Sequence, residues 1–463
     1  MYPPLGILYI AGYLREKMPE VELMALDGYR EEESVLIQKI LEFKPDVLGI
    51  SCTTQAANGA YQLVNKIHEQ TTVFTVMGGP HPTILPEESF EKCTADIVVT
   101  GEGEETFYEI VKAFHEKKSL DSILGTVIER DGKIIRNPVR PYIKDLDSIP
   151  FPARDLLDIA SYPGYLYKQT KSDTALMSAR GCPFDCVYCS NPVWKEQKPW
   201  FRLRSPKNVV DEMEHIAETY GIREFFDQTD EFNGSKKWAK EVCDEIISRE
   251  LNIAWKAQMR VDNIDDELAG KLKKSGFWMG IYGLESVNHK TLKGTQKKQS
   301  LEQTERALRI MKEHDLKTFG LFMAFNVWEE NGVLQYEDKA DSMRTLEYIR
   351  KLLKEKKLHL FGWSLTTPYP GSHLYDIALR HKLIDRKYIG KWEYFDSGSN
   401  FIMQLPTVSE ADWIAVSSAG KKLQAMQLIY SGTFNFRALP LYVKKAFLLL
   451  KRNLFSFLKR KRT

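Results

Sequence analysis

The sequence predicts an α/β protein built from several units, and three observations indicate this. Residues 1–136 and residues 170–375 each alternate short apolar strands with amphipathic helical patterns, which is typical of parallel sheets covered by helices. Residues 137–169 are rich in proline and indicate a linker. A chain of 463 residues, 43% of them apolar, can form about three domains. We therefore predict a Rossmann-like domain, a linker, a partial (β/α)6 barrel of the TIM type, and a mainly helical extension over 376–463.

The first unit begins with a helix at Pro3-Pro4-Leu5-Gly6 and continues as strand–helix pairs. Its strands are predicted at 21–26, 47–51, 73–77 and 97–100. Its next helices are predicted at 34–43 and 57–68. A hairpin over 125–135 turns at Asp131-Gly132, a favoured two-residue turn. Because parallel strands end at one edge of a sheet, we expect the loops after these strands to bind a ligand together.

The second unit repeats the strand–helix alternation six times. Its strands are predicted at 174–178, 224–227, 253–258, 278–283, 318–323 and 359–366. Amphipathic helices separate them, for example at 208–218 and 301–313. Six such units make a partial barrel, and barrel enzymes place their active sites at the carboxyl ends of the strands.

Three of the six cysteines lie in one short loop after the first predicted barrel strand: Cys182, Cys186 and Cys189. The spacing C-x3-C-x2-C supplies three of the four ligands that a [4Fe–4S] cluster needs, and it leaves one iron open. A structural zinc site would need a fourth protein ligand, and His81 and His215 lie outside the loop. With so few cysteines we do not expect disulfides.

The run from Ser178 to Asn191, Ser-Ala-Arg-Gly-Cys-Pro-Phe-Asp-Cys-Val-Tyr-Cys-Ser-Asn, resembles the radical S-adenosylmethionine (radical SAM) superfamily. The resemblance implies that SAM binds the open iron and is cleaved by an electron from the cluster to a 5′-deoxyadenosyl radical. It also implies an electron donor of the flavodoxin or ferredoxin type. Tyr188 matches the aromatic position that contacts the adenine in this family.

Polar residues after the later barrel strands match SAM contacts of the same family. These candidates are Asp227, Asp230, Glu231, Arg260, Glu285 and Ser286. Carboxylates would accept hydrogen bonds from the ammonium group of SAM, although the acidic run also fits a helix N-cap. Residues 323–330 lack the Gly-x-Pro-Gly-Glu-Thr-like turn of many relatives. Residues 367–372, Thr-Pro-Tyr-Pro-Gly-Ser, match a turn that is common in the cobalamin-binding branch.

Residues 1–136 resemble the cobalamin-binding domain that precedes the barrel in that branch. The Pro-Pro-Leu-Gly helix and three loops after predicted strands carry the resemblance. Glycines in these loops would let the backbone approach a large planar cofactor. The implied cobalamin contacts are Ser51, Thr53, Thr54, Gly78, Gly79, Pro80, His81, Glu102 and Gly103.

Two features depart from better-known cobalamin proteins. The cobalt-ligating motif Asp-x-His-x-x-Gly is absent, so we expect His81 to lie near the corrin tail and not to ligate cobalt. In relatives, a strand and a loop precede the Pro-Pro-Leu-Gly helix, so this domain is expected to lack its first strand.

The C-terminal residues 441–462 form a basic amphipathic pattern. Phe447, Leu450, Leu454 and Leu458 fall at helical spacing, and no acidic residue interrupts the lysines and arginines around them. Such a helix can lie on an anionic membrane surface, and a helix packed on the barrel is the alternative. A net charge of +2 and the lack of a second basic patch argue against nucleic-acid binding. We expect a cytoplasmic protein with peripheral contact to the inner face of the membrane.

These observations predict an enzyme that uses a [4Fe–4S] cluster, SAM and cobalamin to methylate an unactivated carbon of a lipid or other small molecule. One alternative is a radical SAM enzyme that catalyses cyclisation, oxidation or rearrangement without methyl transfer. A methylthiotransferase is a poorer match, because it would need three more upstream cysteines and only Cys52 and Cys93 occur there. The remaining alternative is a non-catalytic metal-binding protein at the membrane.

Overall fold

The computed structural model describes residues 1–431 apart from residues 166, 196, 397–399 and 401. The basic pattern predicted at 441–462 therefore lies outside the described residues. Within the described part of the chain, no helix combines the length and the apolar character needed to span a bilayer.

The N-terminal unit is a five-stranded sheet covered by helices. Its strands, in sheet order, are β1 (Val47–Ser51), β2 (Phe74–Gly78), β3 (Ile97–Val99), β4 (Thr126–Arg130) and β5 (Lys133–Arg136). The first three strands are parallel, and β4 and β5 form an antiparallel hairpin on β3. The helices are α1 (Leu5–Lys17), α2 (Glu33–Phe43), α3 (Ala57–His68), α4 (Pro80–Ile84), α5 (Glu87–Lys92) and α6 (Glu104–His115).

The second unit holds the predicted partial barrel. Its elements in chain order are β6 (Thr174–Leu176), β7 (Ala179–Arg180), β8 (Arg202–Leu203), α7 (Pro206–Tyr220), β9 (Glu224–Asp227), α8 (Lys236–Ser248), β10 (Ala254–Met259), α9 (Asp266–Lys274), β11 (Phe277–Glu285), α10 (His289–Gly294), α11 (Leu301–Glu313), β12 (Lys317–Ala324), β13 (Val327–Glu330), β14 (Val333–Tyr336), α12 (Lys339–Lys354) and β15 (Leu360–Leu365). The six-stranded sheet has the order β6-β9-β10-β11-β12-β15, with all neighbours parallel.

The C-terminal extension packs on both units. It contains α13 (His373–Arg380) and α14 (Glu410–Tyr430), and α14 lies against α12 and β15. The segment between these helices reaches the N-terminal unit, where Trp392 and Phe395 join the core of that unit. The Gln55 side chain donates a hydrogen bond to the Phe395 carbonyl at 2.8 Å.

Most predicted strands are confirmed within one or two residues, and the predicted strand at 224–227 coincides with β9. The predicted strand at 21–26 is wrong, because these residues pair with no other strand. Two short antiparallel pairs were not expected, namely β7 with β8 and β13 with β14. The second pair occupies the place where many relatives carry the Gly-x-Pro-Gly-Glu-Thr-like turn.

The barrel is closed at the amino-terminal ends of its strands by a buried ion pair and aromatic rings. Trp255 of β10 packs among the surrounding helices, whereas the neighbouring Lys256 faces the interior. The Lys256 ammonium donates to Asp173 at 2.8 Å and to Glu224 at 3.2 Å. The Tyr2 hydroxyl also donates to Asp173, so the N-terminus of the chain completes this closure.

Candidate active site

The cysteine loop lies at the carboxyl end of the barrel, directly after β7. All three cysteines are free thiols, of which the middle one is buried and the other two are partly exposed. The Val187 amide donates to the Thr295 carbonyl at 3.0 Å, and the Leu374 amide donates to the Val187 carbonyl at 2.8 Å. The loop is therefore fixed to segments that follow the fourth and the sixth barrel strands.

Gly181 fixes the entry to the cysteine loop. Its φ of +81° lies in the left-handed region, and a Cβ atom there would overlap the carbonyl oxygen of Trp200. The preceding residue pairs with the other strand of the hairpin, in the register Arg180 to Arg202. Only glycine allows the chain to leave β7 so close to the returning strand.

The thiols fit a cationic cluster. Burial raises the pKa of Cys182 to about 12 and that of Cys189 to about 11, and the carboxylate of Asp230 acts in the same direction. A bound metal cluster would favour the thiolate form of both side chains, since metals bind the thiolate. Among the described residues, no three histidine, cysteine or acidic side chains converge on a single metal ion.

Asp227 has a structural task at the end of β9. Its Oδ1 atom accepts hydrogen bonds from the Ser178 amide at 3.2 Å and the Thr229 amide at 3.0 Å. The Ser178 hydroxyl donates to its Oδ2 atom. Both oxygens join the ends of β6 and β9, so the geometry does not favour the predicted contact between Asp227 and SAM.

Glu231 is the carboxylate of this run that remains available. It is 3% exposed, and its Oε1 atom has no hydrogen-bond partner among the described residues. Burial raises its pKa to about 8. The neighbouring Asp230 is exposed. An unpaired buried acceptor fits the ammonium group of SAM.

Arg260 lies against the cysteine loop. Its guanidinium donates to both oxygens of Asp262 at 2.9 Å and to the Lys297 carbonyl at 3.0 Å. The same group lies 3.6 Å from the ring centroid of Phe184, which belongs to the loop. Arg260 therefore supports the loop, and its predicted contact with SAM remains a prediction.

Lys297 is a buried charge that the sequence analysis missed. Its ammonium donates to the Glu285 carboxylate at 2.9 Å, and both side chains are about one-tenth exposed. Burial disfavours the charge of Lys297, but Glu285 and Cys186 outweigh this effect and raise its pKa. The nearby Tyr188 hydroxyl is buried beside Glu285 and Cys186. Nothing in the lysine-rich loop around Lys297 distinguishes this side chain by pattern.

Ser286 belongs to a closed network beside the site. Its hydroxyl donates to Glu337 at 2.6 Å, and Glu337 is 1% exposed. The same carboxylate accepts hydrogen bonds from the side chains of Asn288, Thr291 and Asn326. This network ties the hairpin of β13 and β14 to the fourth barrel strand, so the geometry favours a structural role for Ser286.

The carboxyl edge of the N-terminal sheet offers an open surface. Ser51, Thr53 and Pro80 are exposed there, after β1 and β2. Gly78 ends β2, and Gly79 has a φ of +94° with Ser51 Oγ only 2.6 Å from where its Cβ atom would lie. Exposed hydroxyl groups next to glycines, which have no side chain, fit the amide and phosphate groups of a nucleotide tail.

His81 is turned away from that surface. It is fully buried, with Nδ1 3.3 Å from Thr54 Oγ1 and Nε2 3.3 Å from a carboxylate oxygen of Glu88. Its ring also packs edge to face with the Trp392 ring, with 5.2 Å between the ring centroids. Both ring nitrogens are used, which agrees with the expectation that His81 does not ligate cobalt. The same burial argues against the predicted contacts of His81 and Thr54 with cobalamin.

Glu102, a predicted cobalamin contact, already has several partners within the protein. Its Oε1 atom accepts from Arg180 at 3.0 Å and from Arg202 at 2.8 Å. Its Oε2 atom accepts from Arg202 at 3.0 Å and from the Ile143 amide at 3.1 Å. The carboxylate is thus occupied by the barrel unit. Gly103 stays close to helix α1, since a Cβ atom there would lie 2.8 Å from Ile10.

Three segments that frame the two predicted cofactor sites meet at one residue. Gly371 lies in the turn after β15, with a φ of +81°. A Cβ atom on it would lie 2.6 Å from Val193, four residues after Cys189, and 2.9 Å from Ile84 in α4. The cysteine loop therefore lies next to the loop that follows β2 in the N-terminal sheet.

Two family models match the chain. The B12 binding domain matches residues 1–111, and the radical SAM superfamily matches residues 176–340. An uncharacterized methyltransferase of Pyrococcus horikoshii is 33% identical over 82% of this chain and 80% of its own. The anaerobic magnesium-protoporphyrin IX monomethyl ester cyclase of Rubrivivax gelatinosus is 29% identical over 81% of this chain and 66% of its own. The cytidylyl-2-hydroxyethylphosphonate methyltransferase of Streptomyces wedmorensis is 27% identical over 69% and 68%.

Solved structures share the fold. The radical SAM methyltransferase TsrM from Kitasatospora setae, with cobalamin and a [4Fe–4S] cluster bound, has a TM-score of 0.65 at 19% identity, over 82% of this chain and 76% of its own. The cobalamin-dependent radical SAM enzyme OxsB has a TM-score of 0.70 at 17% identity, over 91% and 64%. The matched domains call for a [4Fe–4S] cluster, SAM and cobalamin as cofactors. The chain belongs to the radical SAM enzymes that carry a B12-binding domain.

Proposed function

We propose that this enzyme transfers a methyl group from cobalamin to an unactivated carbon of a small apolar molecule or lipid. The observation that carries the proposal is the meeting of three segments at Gly371. It brings the end of the cysteine loop against α4, so a cofactor on the N-terminal sheet would face the cluster site. Methyl transfer to a carbon radical needs this arrangement, because donor and acceptor have to meet without exposure to water.

Each part of the site has a separate task. Cys182, Cys186 and Cys189 would hold the cluster, and Glu231 would accept a hydrogen bond from the SAM ammonium group. When bound, the cluster supplies the electron that cleaves SAM, and cobalamin supplies the methyl group. The edge with Ser51 would hold the cobalamin tail. The ion pair between Glu285 and Lys297 keeps the cysteine loop in a defined electrostatic environment.

The relatives favour methylation and keep one alternative. The names of two of them describe methyltransferases, whereas that of a third describes a cyclase. A non-methylating reaction is thus the second candidate. The lipid preference, the contact with the membrane surface and the flavodoxin- or ferredoxin-type donor rest on the sequence alone, and 441–462 lies outside the described residues.

Co-product analysis separates the two candidates. The full chain is reconstituted anaerobically with iron, sulfide and hydroxocobalamin, then given SAM, a chemical reductant and a panel of lipid extracts. Methylation consumes two molecules of SAM and yields S-adenosylhomocysteine together with 5′-deoxyadenosine. 5′-Deoxyadenosine alone, with cobalamin bound, would favour the non-methylating reaction. A product heavier by one CH2 group would identify the substrate.

A further inference from the structure

A group of four charged side chains joins the N-terminal sheet to the barrel beside the cysteine loop. We call it the Glu102 ion cluster, and it consists of Glu102, Glu104, Arg180 and Arg202. The side chains of Glu102 and Arg202 are 11% and 6% exposed, so solvent screens their interaction little. Arg202 binds both oxygens of Glu102 in a two-pronged geometry, which fixes direction as well as distance.

In the Glu102 ion cluster, the acidic residues are adjacent to the predicted cobalamin site and the arginines are adjacent to the cysteine loop. Glu102 lies between two glycines in the loop after β3, at the edge where cobalamin is expected. Arg180 is separated from Cys182 by Gly181 alone. Because a single residue separates them, a displacement of Arg180 would also move the chain that carries the first cluster ligand.

Neither the N-terminal unit nor the barrel supplies all four side chains of the Glu102 ion cluster. Arg180 and Arg202 face each other across the hairpin of β7 and β8, and like charges directly opposite on paired strands repel. Glu102 from the N-terminal unit is placed between them and neutralises this repulsion. Arg180 also binds Glu104, at the start of α6. The hairpin that begins the cysteine loop therefore takes its shape from a carboxylate of the other unit.

We infer that Glu102 is a positioning residue that sets the placement of the cobalamin site relative to the cluster. This inference rests on the proposed function for the identity of the two cofactors. Loss of the carboxylate would leave the buried Arg202 guanidinium without its carboxylate partner, opposite Arg180 on the paired strand. The hairpin would then shift, and the distance between the cofactors would change. The thiols and the open cobalamin edge would remain present.

The test compares Glu102→Gln with Asp155→Asn. Asp155 pairs with Arg15 between the N-terminal unit and the linker, but this pair is about half exposed and lies on other segments. Both variants are loaded with cluster and hydroxocobalamin and then reduced. The enhancement of cob(II)alamin spin relaxation by the reduced cluster reports their separation. We expect Glu102→Gln to bind both cofactors and to lose most of the enhancement, whereas Asp155→Asn keeps it. Native enhancement in Glu102→Gln would overturn the inference.

Two further arms keep the test decisive. If Glu102→Gln does not fold, Arg202→Lys retains the charge and removes the two-pronged contact, and the same loss of enhancement is expected. If the native chain binds the cluster but no cobalamin, the proposed function fails, and amide hydrogen exchange over 181–189 decides the inference. Faster exchange in Glu102→Gln and native exchange in Asp155→Asn would support it. Equal exchange in both variants would refute it.

Discussion

At the scale of single residues, two carboxylates four positions apart have opposite tasks. Asp227 spends both oxygens on the backbone and hydroxyl groups that join two barrel strands. Glu231 is buried with an oxygen that no described group satisfies. An unsatisfied buried acceptor costs free energy in the unliganded protein, and a bound cation offsets that cost. The number of hydrogen bonds that each carboxylate accepts therefore indicates a structural role for Asp227 and a ligand-binding role for Glu231.

Glu231→Gln should weaken SAM binding and leave the cluster intact. A bound ammonium group would favour the ionised form of Glu231, whereas the amide keeps the shape and cannot ionise. We therefore expect the affinity to fall by roughly tenfold or more. Binding of SAM to the anaerobically reconstituted protein, with iron content as the reference, measures this. Asp227→Asn is the matched control and should lower stability with less effect on affinity. Equal SAM affinity in Glu231→Gln and the native protein would remove Glu231 from the site.

His359 makes the stability of the barrel depend on pH. Its Nδ1 atom accepts a hydrogen bond from the Thr318 amide at 3.2 Å, which requires the neutral ring. Burial lowers its pKa from 6.5 to about 4. The unfolded chain therefore binds the proton first, and stability is lost as the pH falls below 6.5, with no further loss from this group below about 4.

His359→Asn keeps an acceptor and cannot be protonated. Between pH 6.5 and 4, the native protein should lose on the order of 3 kcal/mol more unfolding free energy than this variant. Urea unfolding across that range measures the difference. Parallel pH profiles for the two proteins would show that His359 does not contribute.

At the scale of elements, the sequence predicts what is local and misses what depends on distant partners. The hairpin turning at Asp131-Gly132 and the helix at 301–313 are confirmed, because turn residues and helical periodicity are short-range signals. The extended residues at 21–26 lack a neighbouring strand, and no local pattern reports pairing. Likewise, Glu102 meets arginines 78 and 100 positions away, and no local pattern in its glycine-rich loop reports these ion pairs.

Gly181→Ala should disrupt the cysteine loop. The new methyl group would overlap the Trp200 carbonyl, so β7 and β8 would separate and iron loading should fall severalfold. Gly132→Ala is the matched control, since its φ of +71° is similar and no atom lies within 4 Å. That variant should cost only about 1 kcal/mol of unfolding free energy and load iron normally. Normal iron loading in Gly181→Ala would contradict this account.

At the scale of the whole molecule, contacts in several places join the units of the described chain. The Met1 ammonium donates to the Gly164 carbonyl at 2.9 Å, and the Ala153 amide donates to the Leu8 carbonyl at 2.9 Å. The Glu102 ion cluster and the packing of Phe395 in the core of the N-terminal unit are further connections. Contacts spread over the full chain make separate unfolding of one unit unfavourable.

The chain should therefore unfold in one transition. Loss of the N-terminal unit would expose apolar surface on the barrel and on the C-terminal extension, so the units should melt together. Calorimetry and tryptophan fluorescence test this, because both methods should report the same single melting temperature. Two resolved transitions would show that the units are energetically independent.

The contacts among Tyr2, Asp173 and Lys256 close one end of the barrel. Molecules cannot pass along its axis, so substrate, spent SAM and product all have to travel by way of the rim or the seam between the first and last strands. The N-terminal unit lies at the rim, which is the carboxyl end of the barrel strands. Exchange of substrate and product would therefore take place beside the N-terminal unit.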